Sequence, residues 1–176
     1  PILAALTPAP RRDETIFEIV AQLNRGAALI ADPDERERLA ELNLQAGQRA
    51  RASTAYASAL TYLTIGTDML RGDGWQRRPD LMFALESGRA ECEFLTGQLQ
   101  AAEARFAMLA GHARGTAERA RITCWQADVY VMLDEHGRAI DVGLAFLRLI
   151  GIDWPRQPDA TTLREEYHRI WKQLGD

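Results

Sequence analysis

Apolar residues recur along this chain three and four positions apart, the spacing of one helix face, while alternation of the strand type is nearly absent. Ile16, Val20, Leu23, Ala27 and Ile30 share such a face, and Thr15-Ile16-Phe17-Glu18 has the spacing of a capping box that would start the helix there. Asp32-Pro33-Asp34-Glu35 opens a second helix. Asp32 can accept hydrogen bonds from the free N–H groups of the first turn, Pro33 suits the first helical position, and Glu35 faces the positive end of the helix dipole. This helix runs to about Ala50, and Ser53 is the predicted cap of a third that stops before Gly72-Asp73-Gly74. Further helices are predicted from Pro79 to before Gly97, over Leu99–Leu109, from Thr116 to Leu133 and from Gly137 to Ile150, with Gly151 as the C-cap. Asp153-Trp154-Pro155 breaks the pattern, and Thr162-Leu163-Arg164-Glu165, again with capping-box spacing, starts a last helix that reaches Leu174. Residues 1–12 carry three prolines and read as an entry linker.

Three windows within these helices superimpose: Gly47, Ala50, Tyr56, Ala59, Leu63 and Gly66; Ala90, Glu93, Leu99, Ala102, Phe106 and Leu109; Ala127, Tyr130, His136, Ala139, Gly143 and Phe146. Small residues recur where paired antiparallel helices must approach closely, and the residue four places after each central alanine is bulky in the first two windows. This is the logic of tetratricopeptide (TPR) repeats, although the central alanines, 43 and 37 residues apart, make the repeat irregular. The expected fold is all-α: a TPR-like, right-handed superhelix of about eight antiparallel helices forming one domain over 13–176. Its repeats span about 39–71, 80–112 and 116–150, followed by a C-terminal helix over 160–174.

Composition narrows the function classes. The chain of 176 residues holds 28 Ala and 21 Leu against four Val, a helix-forming bias. A net charge of −4 argues against a nucleic-acid-binding surface, and no apolar run is long enough to span a membrane. Cys92 and Cys124, without any CxxC pair, fit a reducing compartment, so a cytoplasmic location is expected. The chain begins at Pro1 and reads as an excised or processed segment. Its basic residues are 20 Arg and one lysine, Lys172, which follows no glycine-rich turn and fits neither a phosphate loop nor a kinase strand.

The segments Ile16–Asn24, Asp32–Arg38, Leu39–Tyr56, Leu85-Glu86, Ala90–Gly97 and Leu149–Pro155 resemble the helical region of very large bacterial signalling proteins. Such proteins join a serine/threonine-kinase-like domain, a predicted STAND/AAA-type ATPase, this helical stretch, a GAF sensor domain and often a histidine kinase. The resemblance runs from about Thr15 to Gly175 and carries no active-site residue. It implies a non-catalytic protein-interaction and signal-relay segment whose partner is protein and which binds no cofactor.

The remaining polar constellations read as structural. His112, His136 and His168 are dispersed, and Asp134-Glu135-His136 reads as a solvated turn rather than a metal site. Glu86, Glu91 and Glu93 could serve as paired carboxylates, but no His, Lys or glycine-rich loop converges on them. Arg71-Gly72-Asp73 reads as a turn, Arg77-Arg78 as an exposed helix entry, and Trp75, Trp125, Trp154 and Trp171 as packing anchors. In a TPR-like array the first helix of each pair lines the groove. That register places Leu44, Gln48, Arg51, Ser87, Glu91, Phe94, Arg121, Trp125, Asp128 and Met132 on one mixed aromatic and charged stripe. Gln48, Arg51, Glu91, Phe94, Arg121, Trp125 and Asp128 are the candidate partner-binding residues. Alternatives are a groove that holds a small regulatory molecule, or one filled by the chain's own last helix.

Overall fold

The structure, a computed structural model, describes residues 9–174, with side chains from Ile16 onward. The described residues contain nine α-helices and no strand: α1 (Ala9–Arg25), α2 (Pro33–Ala52), α3 (Tyr56–Met69), α4 (Gly74–Arg77), α5 (Pro79–Leu95), α6 (Leu99–His112), α7 (Thr116–Met132), α8 (His136–Leu149) and α9 (Ala160–Leu174). The chain divides into two compact units, Pro1–Ala113 and Arg114–Asp176.

The helix starts at Pro79, Leu99 and Thr116 and the cap at Asp32 fall where the sequence predicts them, and three other starts depart from it. Asp32 Oδ1 accepts from the N–H groups of Asp34 and Glu35, each at 2.9 Å, with Pro33 in the first turn. Helix α1 begins at Ala9, so Thr15 lies inside it, residues 9–12 of the expected linker are helical, and residues 1–8 lie outside the described residues. Ser53 does not start α3. Its N–H closes the end of α2 on the carbonyl of Arg49, and Ala55 precedes α3 without a side-chain cap. Asp159, three residues before the predicted Thr162, caps α9 by accepting from the Thr162 N–H at 2.7 Å, and that N–H holds its carboxyl below the ordinary value. The four-residue helix α4, inside a stretch read as a turn and helix entry, was not foreseen.

The three predicted repeat windows are three helical hairpins, α2–α3, α5–α6 and α7–α8, and their turns share one geometry. In each, a residue with positive φ follows the first helix: Thr54 (58°), Gly97 (79°) and Asp134 (62°). Its N–H bonds the carbonyl three residues back, in Arg51, Phe94 and Val131. The next N–H, of Ala55, Gln98 or Glu135, reaches five residues back to Ala50, Glu93 or Tyr130. This is the Schellman arrangement, which satisfies carbonyls left free at a helix end and reverses the chain within three residues. The predicted C-cap Gly151 closes α8 in the same way.

In the first unit, successive helices α1, α2, α3, α5 and α6 pack as neighbours, and α4 lies on α5. Its core joins Ala40, Ala50, Ala59, Leu63, Leu70, Leu81, Met82, Leu85 and Cys92. Leu63 and Leu85 are fully buried, each a contribution of about 1.5–3 kcal/mol. The helices cross at small residues. A Cβ on Gly47 would lie 2.6 Å from Leu63, and one on Gly66 would lie 2.7 Å from Leu85. Asn24 and Asn43 exchange two side-chain hydrogen bonds at 2.9 and 2.8 Å, and fully buried Asn43 also donates to the Leu39 carbonyl, so this polar pair ties α1 to α2 at little desolvation cost. In the second unit α7 and α8 pack along their lengths, with Ile122, Val129 and Tyr130 buried and the Arg138 guanidinium 4.1 Å above the Tyr130 ring.

Candidate interaction surface

The groove stripe divides between the two units. In the first, α2 supplies Leu44, Gln48 and Arg51, one helix face by spacing, and α5 supplies Ser87, Glu91 and Phe94. Arg51 and Glu91 are brought together as an ion pair, and Glu91 is buried. Ser87 is also buried, and its hydroxyl has no hydrogen-bond partner among the described residues. What reaches solvent from this half is Gln48, with half-buried Leu44, Arg51 and Phe94. On α7, Arg121 and Asp128 are exposed, Trp125 is half-buried and Met132 is 62% exposed. Arg121, Trp125, Asp128 and Met132 lie four, three and four positions apart, so they share one side of that helix.

Two charge clusters in the first unit were not legible as such in the sequence. Glu86 and Glu93, seven positions apart on α5, both face Arg105 of α6. Arg105 binds Glu93 with two parallel bonds, Nε to Oε2 at 2.8 Å and Nη2 to Oε1 at 2.9 Å, and its Nη1 bonds Glu86. Burial opposes the Arg105 charge, but the bonds and attraction of Glu93 and Glu86 outweigh it and raise its pKa. Arg89, also paired with Glu86, is pulled the other way, by burial first and then by repulsion from Arg105. The second cluster spans α2 and the entry to α5. Arg77 bonds Glu37 at 2.9 Å and Asp34 at 3.2 Å, while Arg78 bonds Glu37 at 2.8 Å and also Glu41. The Arg78 hydrogen bond holds the Glu37 carboxyl below its ordinary value. The Arg77-Arg78 pair is therefore a clamp onto α2 rather than a bare helix entry. The sequence signal was the acid spacing Asp34, Glu37, Glu41, which puts three carboxylates on one face of α2.

The tryptophans separate. Trp75 packs against the core and stacks on His112, with ring centroids 3.8 Å apart, whereas Trp154 and Trp171 are 51% and 56% exposed, so the expectation of packing anchors does not extend to them. Arg71-Gly72-Asp73 forms a turn, with Gly72 at a φ of 109°. Among the described residues no three His, Cys, Asp or Glu side chains are arranged to hold a metal ion. The cleft lined by Arg36, Glu37, Met69, Leu70, Asp73 and Arg77 encloses about 150 Å³. No described helix is long and apolar enough to cross a membrane.

No family model matches this chain, and no solved structure matches it. The chain is similar to hybrid signal transduction histidine kinase G of Dictyostelium discoideum, with 26% identity over 169 residues, 91% of this chain. The match covers 5% of that protein, so this chain spans a small fraction of its relative's length.

Proposed function

We propose that this chain is a non-catalytic protein-interaction and signal-relay segment of a multidomain signal-transduction ATPase or kinase, built as a TPR-like helical array and working in the cytoplasm. The observation that carries this reading is the match itself: nearly the whole chain is similar to a small part of a signalling histidine kinase. The local chemistry supports it. Glu86, Glu91 and Glu93, the candidate acid–base carboxylates, are each ion-paired with an arginine of another helix, so they serve to hold helices together. Hairpins with rigid, repeated turns present Gln48, Arg51 and Phe94 from the first unit and Arg121, Trp125 and Asp128 from the second. In this proposal the half-buried indole of Trp125 anchors a neighbouring domain and the flanking charges set its orientation.

Trp125→Ala tests the reading. Binding to the domains that flank this segment in the longer protein should weaken by about 2 kcal/mol or more, while the thermal midpoint stays near that of the parent. A large loss of stability with unchanged affinity would make Trp125 a packing residue. Nucleotide hydrolysis by the isolated chain would overturn the non-catalytic reading. A saturable thermal shift with a small metabolite would replace relay by ligand sensing.

A further inference from the structure

Helix α9 carries an apolar stripe that the described residues leave exposed: Leu163, Tyr167, Ile170, Trp171 and Leu174 are 57%, 58%, 49%, 56% and 73% exposed. Their spacing of three and four places them on one face. Four of the five repeat the register of α7. Leu163, Ile170, Trp171 and Leu174 each stand 41 places after Ile122, Val129, Tyr130 and Leu133, and Gly175 stands 41 places after Asp134, the positive-φ residue that turns α7 into α8. This interval falls between the 43 and 37 places that separate Thr54, Gly97 and Asp134. On α7 the counterparts are covered: Ile122, Val129 and Tyr130 are 1%, 0% and 5% exposed, and Tyr130 lies beneath Arg138 of α8. Three of the four counterparts are therefore buried on α7, and Leu133 is half-buried, while the matching side chains of α9 are exposed.

We infer that α9 is the first helix of a fourth hairpin, and that its stripe is the seat of an amphipathic helix running antiparallel to it, supplied by the polypeptide that follows Asp176 in the longer protein. By sequence interval alone, Gly175 falls where the turn residue of that hairpin is expected, a position that glycine suits. The incoming helix would begin within about three residues of Gly175, as α3, α6 and α8 do after Thr54, Gly97 and Asp134. A single isolated helix of this length is marginal in water, so α9 gains its stability from this partner. The inference rests on the reading of the chain as a segment of a longer protein, but not on what that protein signals.

The test compares residues 1–176 with the same chain extended by the next 25 or so residues of the longer protein, using hydrogen exchange read peptide by peptide. Exchange across 160–174 should slow by on the order of a hundredfold in the extended chain, with Trp171 emission shifting to the blue. Ile170→Glu with Trp171→Glu should abolish that protection while leaving exchange in α2, α3 and α5 unchanged, which separates lost docking from lost folding. Exchange over 160–174 as fast in the extended chain as in the short one would overturn the inference. So would protection of the stripe by a second copy, seen as dimers by sedimentation in both chains. Failure of the flanking-domain binding measurement for Trp125→Ala leaves this readout untouched, so the two readings fail separately.

Discussion

At the residue scale, the strongest demand falls on Arg105. It joins Glu86 and Glu93, whose side chains are only 7% and 6% exposed. Removing the cation leaves two carboxylates in a site that cannot solvate them, and the loss exceeds what the pair itself contributes. Arg105→Met should destabilise the chain by about 3 kcal/mol in urea denaturation, and adding Glu86→Gln and Glu93→Gln should return part of it. Cys92 gives a second residue-level test. It is fully buried, and burial pushes its thiol from 9.0 up to about 11, with Arg51 opposing the shift and Glu91 and Glu93 adding to it. An acid whose folded pKa is raised costs nothing while both states stay protonated. As pH climbs through 9.0 towards 11, the unfolded chain releases the proton first, so stability falls in that window. Cys92→Ala should remove this component of the alkaline loss in melts from pH 8 to 11. At pH 7.5 a thiol reagent should label exposed Cys124 rapidly and Cys92 only in denaturant.

At the element scale, the hairpins were legible and their turns were not. Small residues at Gly47, Ala59, Gly66 and Ala102 marked helix crossings because only a missing or short side chain allows the observed approach. The turns hid because backbone geometry, rather than residue type, unites them: Thr, Gly and Asp occupy equivalent positions with φ of 58°, 79° and 62°. Propensity favours only the glycine, since a side chain in the left-handed region costs about 1–2 kcal/mol. Thr54→Gly should therefore stabilise the chain by about 1 kcal/mol, and Gly97→Val should destabilise it by about 1–2 kcal/mol, both by chemical denaturation. A Cβ at Gly97 would meet nothing within 4 Å, so the second cost isolates backbone strain from packing.

At the scale of the whole molecule, stabilising contacts are distributed unevenly. The continuous core of nine buried side chains lies entirely within Pro1–Ala113. Between Arg114 and Asp176 the buried apolar side chains among the described residues are Ile122, Val129 and Tyr130. Expressed separately, residues 1–113 should melt cooperatively, whereas residues 114–176 should show reduced helicity by circular dichroism and no sharp transition, because so little apolar surface leaves water. The sequence by itself determined that this chain is helical and where most of its helices lie, since apolar spacing, small crossing residues and Asp32 act over a few residues. Only the tertiary structure decided that Glu86 and Glu93 share one arginine, that Arg77 and Arg78 clamp α2, and that Ser87 and Glu91 are buried while Trp171 is bare. Those outcomes depend on which faces meet across tens of residues, and one helix's pattern cannot specify its partner.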